Sequence, residues 1–312
     1  MPNEVMQISA LSTDMLKRMQ ELEWVLHDHS HILDPAALAR ATVLIGRSAS
    51  SQVDKKLLQM MPKVQLIAIV GERYDGLDLD VVLSKNIRVT HTPLALGNDV
   101  ADHALALMLT LGRRVLQADR FVRNSDWVDE PFAFAPRFAG RHVGIVGMGP
   151  LGRAIAKRAC AFEMTVRYHD RQPAGDVPYE YSRSVQELAA QSDYLVLAMQ
   201  TSPTDSPCVT PEVLQALGGT GFLINVSHAQ AVEPAVLIQA LQTKQIAGAG
   251  LDVFWDEPRV PAELRALQNV VLTPHIGNAT LEQRAWMEQT AIDSVLAHFE
   301  GRPLTHLIAQ CR

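Results

Sequence analysis

Cysteine is scarce: Cys160, Cys208 and Cys311 are the only three in 312 residues, scattered and odd in number. That excludes a disulfide scaffold and fits a reducing, cytoplasmic setting. No apolar run approaches the ~20 residues that span a bilayer, so no membrane segment is expected. The opening MPNEVMQISA lacks a basic stretch followed by an apolar one, so no secretory leader is expected. Excess positive charge is also missing. A net charge of −6 argues against nucleic acid or an anionic membrane as partner. An anionic small molecule would therefore have to be met by local positive charge. Neither a low-complexity stretch nor an internal repeat is present. What remains is an ordinary globular composition, 47% hydrophobic and 20% charged. At 312 residues the chain exceeds one comfortable core, and two domains are the expectation.

What is present is a glycine fingerprint in mid-chain. Residues 143–152 read VGIVGMGPLG, an apolar strand running into Gly147-Met-Gly149-Pro150-Leu151-Gly152. Gly147 allows a tight turn, Gly149 lets backbone approach a pyrophosphate, and Gly152 lets the next helix pack close to the strand. The helix expected over about 151–162 would aim its unpaired N–H groups and positive dipole end at the phosphates. A second strand leads to Asp170, 23 residues beyond Gly147. A carboxylate there can take both hydroxyls of an adenosine ribose and repel a 2′-phosphate. Arg171, directly after it, would welcome that phosphate. The expected cofactor is NAD, with NADP as the alternative.

From residue 143 onward short apolar runs alternate with helical patterns. Strands are expected near 143–147, 165–169, 194–199, 221–226, 247–253 and 270–273, with helices at 185–191, 211–217 and 233–242. Continuous runs such as Tyr194-Leu-Val-Leu-Ala-Met imply burial on both faces, the mark of a parallel sheet. The first ninety residues repeat the alternation in shorter pieces, with strands at 5–9, 24–27, 42–45, 65–70 and 87–91. The fold class expected is α/β: a Rossmann-type doubly wound parallel sheet plus a second, smaller flavodoxin-like α/β domain. One helix is expected from Asn98 to about Arg123. Its residues Val100, Ala104, Leu105, Leu107, Met108, Leu109 and Leu111 cover it nearly all round, which implies burial between domains or against another subunit. A last helix, about 281–299, is expected to pack back on the first domain.

Ligands of open parallel sheets bind beyond the carboxyl ends of the strands. Three chemically capable side chains follow three successive strands there: His228, then Glu257 in LDVFWDEP, then His275 in TPHIG. A histidine bonded to a carboxylate suits proton transfer near neutral pH, because the carboxylate favours the charged ring. Beside a nicotinamide, that pair describes reversible reduction of a ketone. The alternating His27, His29 and His31 would share one face of an extended strand, but no further ligand set goes with them. A solvated strand end is expected there, and no metal.

At these residues the chain resembles the D-isomer-specific 2-hydroxyacid dehydrogenase family over nearly its whole length. The likeness lies in VGIVGMGPLGRAIA, in NVS…AVLIQAL…IAGAGLDVFWDEP and in VVLTPHIG, together with YDGLD…IRVTHTP and NDVADHALALML. It implies hydride transfer between NAD(P) and C2 of a small 2-keto or 2-hydroxy acid, such as glyoxylate or hydroxypyruvate. His275 would be the acid/base, Glu257 its partner, and Asp252 and Val100 contacts to the cofactor. It implies a homodimer built on the helix after residue 98, and closure of the domains over substrate. The corresponding domains are 1–95 with 284–312 for substrate and 96–283 for NAD(P).

Two departures stand out. Where the family carries a catalytic arginine in an NxxRG pattern, this chain reads Asn225-Val-Ser-His228-Ala229, and no arginine occurs between Arg183 and Arg259. Histidine is shorter, with fewer donors and no permanent charge. Losing one such preorganised donor typically costs ~3–4 kcal/mol, or about 10²–10³ in rate. The loop that cradles the substrate carboxylate is usually glycine-rich; here it reads Gly71-Glu72-Arg73-Tyr74-Asp75. Arg73 is a candidate to supply the charge that position 228 lacks. The alternative from another class is a dinucleotide-binding sensor or assembly partner that has lost efficient catalysis.

Overall fold

Short aliphatic runs without polar alternation become strands buried on both faces, and among the described residues they form two parallel sheets. The computed structural model describes residues 3–28, 31–32, 34–47, 53–71, 74, 76–92, 97–199 and 207–311. Contacts divide the chain into two units, Met1–Ala95 with Thr280–Arg312, and Leu96–Ala279.

The first unit holds β1 (Glu4–Gln7), β2 (Val25–His27), β3 (Val43–Gly46), β4 (Leu66–Ile69) and β5 (Arg88–Thr90). Their order β2-β1-β3-β4-β5 is the flavodoxin-like one. Between them run α1 (Thr13–Glu21), α2 (Pro35–Arg40), α3 (Lys55–Met60) and α4 (Leu79–Ser84). Each starts on an acid or hydroxyl. Ser12, Asp34, Asp54 and Asp78 accept from backbone N–H groups of the first turn, which fixes where these short helices begin. The closing helix of the chain belongs to this unit and packs Met287, Ala291, Ile292 and Val295 against Val5, Ile45 and Ala68 of the sheet. His27 corrects the expectation of a solvated strand end. It is buried in β2, and its Nε2 lies 2.6 Å from the buried Glu4 carboxylate. His31 pairs with Asp28, and His29 lies outside the described residues. Among the described residues no group of three or more metal-ligating side chains is placed to hold an ion.

The second unit opens with α5 (Asn98–Gly112) and α6 (Val115–Arg123). They are two helices rather than one, because Arg114 between them takes a left-handed conformation at φ 55° and breaks the hydrogen-bond ladder. The apolar surface of α5 is buried within its own unit, on α7 (Pro150–Ala161) and on the strands beneath. The sheet contains β6 (His142–Val146), β7 (Thr165–His169), β8 (Glu180–Tyr181), β9 (Tyr194–Leu197), β10 (Phe222–Asn225), β11 (Gly248–Leu251) and β12 (Val270–Leu272). Its order, β12-β11-β10-β9-β6-β7-β8, is the doubly wound Rossmann order with one added strand. The remaining helices are α8 (Val185–Ala190), α9 (Pro211–Leu217), α10 (Pro234–Gln242) and α11 (Ala262–Arg265), followed by α12 (Leu281–Phe299) in the first unit. The two-residue β8 has no apolar run to announce it; an ion pair from Arg167 of β7 to Glu180 accompanies its pairing. Among the described residues no helix is long and apolar enough to cross a membrane.

Candidate active site

The switch point of the second sheet lies between β6 and β9, and the glycine turn leaves β6 there. Gly147 sits at φ +96°, and a Cβ on it would come within 2.6 Å of the Met199 backbone. Only glycine satisfies both conditions. A Cβ on Gly152 would overlap the Gly147 carbonyl, so the third glycine sets how closely α7 approaches the turn. Gly149 differs from both: a Cβ there would meet nothing. The fingerprint is therefore a turn closed on its protein side and open on the other, with Pro150 as the first helical residue and Leu151 behind it. An open backbone face at a helix N-terminus fits a pyrophosphate. Asp170 joins the turn directly. Its carboxylate accepts the Met148 N–H at 2.7 Å and the Arg171 N–H at 2.7 Å.

His228, Glu257 and His275 follow β10, β11 and β12, which are neighbours in the sheet. His275 Nδ1 lies 2.8 Å from Glu257 Oε2, and the other Glu257 oxygen accepts the Phe254 N–H at 3.0 Å. A carboxylate can only accept, so Nδ1 carries the proton of this bond and Nε2 is left for exchange. His275 holds φ +54°, a conformation unusual for a residue with a side chain. What maintains it is Asp252, which is only 2% exposed. Asp252 Oδ1 accepts the Thr273 hydroxyl at 2.6 Å and the Ile276 N–H at 2.9 Å, and Oδ2 accepts the Gly277 N–H at 2.8 Å. His103 of α5 completes the set, its Nε2 donating to Thr273 Oγ1 at 2.9 Å and lying 3.3 Å from Asp252 Oδ1. Burial alone would push the Asp252 carboxyl up. The bonds from His103, Thr273, Ile276 and Gly277 outweigh it and hold the carboxyl below the usual aspartate range. Val100 packs beside Gly277, where a Cβ would touch both Val100 and Asp252.

A model described as "D-isomer specific 2-hydroxyacid dehydrogenase, NAD binding domain" matches residues 105–277. The glyoxylate/hydroxypyruvate reductase A of Arabidopsis thaliana is 38% identical over 296 residues, covering 95% of this chain and 94% of the relative. The chain belongs to the D-isomer-specific 2-hydroxyacid dehydrogenase family. It is an NAD(P)-dependent enzyme of that family, with the two-unit α/β fold its members share. A 2-hydroxyacid dehydrogenase from Ketogulonicigenium vulgare superposes with a TM-score of 0.90 at 29% identity, over 99% of each chain. An NADPH-dependent glyoxylate/hydroxypyruvate reductase from Sinorhizobium meliloti, solved with NADP and malonate, gives 0.83 at 31% identity, over 98% of this chain and 97% of that one.

Against the family pattern, His228 is exposed at the start of a short 3₁₀ turn, and its carbonyl accepts the Asn225 side-chain amide at 2.9 Å. In the first unit, the Gly71 N–H donates to the buried Thr92 hydroxyl at 2.7 Å, and a Cβ on Gly71 would meet nothing. Glu72 and Arg73 lie outside the described residues. Thr273 and His103 escaped the reading of the sequence. The one available signal was a polar residue, His103, inside a helix otherwise apolar on almost every side.

Proposed function

We propose that this enzyme reduces small 2-keto acids, glyoxylate and hydroxypyruvate among them, to D-2-hydroxy acids. The observation that carries the reading is the 2.8 Å bond from His275 to Glu257, beyond the carboxyl ends of the strands, where the glycine cradle also lies. When bound, the nicotinamide supplies the hydride for C2. The rest is done by the protein. Glu257, fixed by the Phe254 N–H, accepts the hydrogen bond from Nδ1–H and orients the ring, so that Nε2 delivers its proton to the substrate oxygen while Nδ1 keeps its own. Asp252 holds the 273–277 loop that presents His275, and the lone pair left on Oδ2 is the one assigned to the nicotinamide carboxamide. Gly147, Gly149, Pro150, Leu151 and Gly152 would receive the pyrophosphate, and Asp170 the adenosine ribose.

The unit Leu96–Ala279 is accordingly taken as the nucleotide-binding domain and the other unit as the substrate domain. NAD is the favoured cofactor because a carboxylate, Asp170, faces the ribose position. His228 stands in place of the family arginine without its permanent charge, and Arg73 is the candidate to supply that charge to the substrate carboxylate. The sensor alternative has little support: a pure binder needs neither His275 nor Glu257, yet the pair is assembled.

The test is His275→Asn. With a panel of 2-keto acids, kcat should fall by about 10²–10⁴, the usual worth of general acid catalysis. The NADH dissociation constant, read by fluorescence titration, should stay within about twofold. Unchanged turnover would remove His275 from the mechanism.

A further inference from the structure

The adenosine side of the cradle carries an arrangement that simple dinucleotide binding does not require. Beyond β7 four charged side chains collect: Asp170, Arg171, Arg153 and Asp176. Asp170 holds the N–H of Met148 at 2.7 Å, and Arg153 Nε donates to the carbonyl of the same residue at 3.1 Å. The carboxylate and the guanidinium thus grip opposite ends of one residue of the glycine turn. The other two nitrogens of Arg153 are occupied by Asp176, Nη1 at 2.9 Å and Nη2 at 2.7 Å on its two oxygens. This is a bidentate fork, the geometry with which arginine also receives phosphate. Asp176 is delivered by an anchored loop. The buried Tyr168 hydroxyl accepts the Ala174 N–H at 2.9 Å and donates to the Ala174 carbonyl at 3.3 Å. Arg171 is exposed, and its side chain makes no ion pair among the described residues.

We propose that Asp176 determines which nicotinamide dinucleotide the enzyme accepts, by holding the Arg153 guanidinium away from a ribose 2′-phosphate. The proposal rests on the dinucleotide reading given above and deepens it. A carboxylate that takes the ribose hydroxyls marks where a 2′-phosphate would lie, and an arginine close by is what accommodates that phosphate. Arg153 is such an arginine, one peptide away from Asp170, and Asp176 neutralises it. With the fork closed, the rim offers a 2′-phosphate the Asp170 charge and only the exposed Arg171. With the fork open, two arginines face it. The pair is exposed, so exchanging Asp176 removes a weakly held partner and leaves the fold intact.

The experiment uses the full chain with Asp176→Asn, Arg153→Gln and the double variant. Binding of 2′,5′-ADP and of 5′-ADP is measured by displacement of NADH fluorescence, beside kcat/KM for NADPH and NADH. Asp176→Asn should tighten 2′,5′-ADP at least tenfold relative to 5′-ADP and raise the NADPH-to-NADH ratio of kcat/KM similarly. In the double variant the gain should disappear. An unchanged ratio in Asp176→Asn overturns the proposal. So does a gain that survives without Arg153, which would credit Arg171 or the mere loss of negative charge. If neither adenine nucleotide displaces NADH from any variant or from the unaltered enzyme, the dinucleotide reading fails first, and that outcome is distinct from the other two.

Discussion

Asp252 is a buried charge with four donors around it, and its energetics follow from that count. A carboxyl held below its ordinary value adds stability that is fully present above the unfolded aspartate value, ~3.9, and is lost as pH falls through the folded one. Asp252→Asn removes the charge and turns acceptors toward donors. At pH 7 the cost should be about 2–3 kcal/mol, the scale of hydrogen bonds to a charged group in a buried site. The urea midpoint of the variant should therefore lie below that of the parent at pH 7, and the gap should narrow below about pH 4. A gap independent of pH would mean that shape, not charge, holds the 273–277 loop. Elsewhere at this scale, burial pushes the Cys208 thiol up to about 11, which keeps it protonated at neutral pH.

On the function proposed above, the turn between β6 and α7 is the element on which nucleotide binding depends. Gly147→Ala brings a Cβ against the Met199 backbone at a φ of +96°, so the turn that leaves β6 must shift. NADH affinity should drop at least tenfold by fluorescence titration, while circular dichroism still reports an α/β fold. Elements of this kind were the legible part of the sequence. Strands buried on both faces write themselves as unbroken aliphatic runs, and helices between them carry their own caps. β8 could not be read, because two residues joined by edge pairing leave no hydrophobic period. The break at Arg114 was invisible, since nothing in Gly112-Arg-Arg114 forces a left-handed residue. The pair His275–Glu257 could be anticipated from the order of the strands; the His103–Thr273–Asp252 network could not, because His103 comes from a helix 170 residues before Thr273.

At the scale of the molecule, one stretch gathers exposed aromatic side chains. Beyond α6 the chain exposes Trp127 at 67%, Val128 at 84% and Phe134 fully. Phe121 and Phe132 meet edge to face close by, with Arg114 over the Phe132 ring. Aromatic and arginine side chains gathered on an exposed patch are what interfaces between chains use. In the homodimer that the family resemblance implies, this strap would add to the seat of the second copy. Sedimentation equilibrium should return twice the chain mass, and Trp127→Lys with Phe134→Asp should return the single mass. A monomer in the unaltered protein would refute it.

The order of the second sheet carries one more consequence. From β6, where the glycine turn begins, to β12, which bears His275, there are four strand spacings, or about 19 Å at ~4.8 Å each. On the function proposed above, the sheet is a rigid gauge between the handle of the coenzyme and its working end. A truncated donor that keeps only the redox ring arrives without its handle, and the distance between handle and histidine is built into a backbone that no side-chain exchange can lengthen.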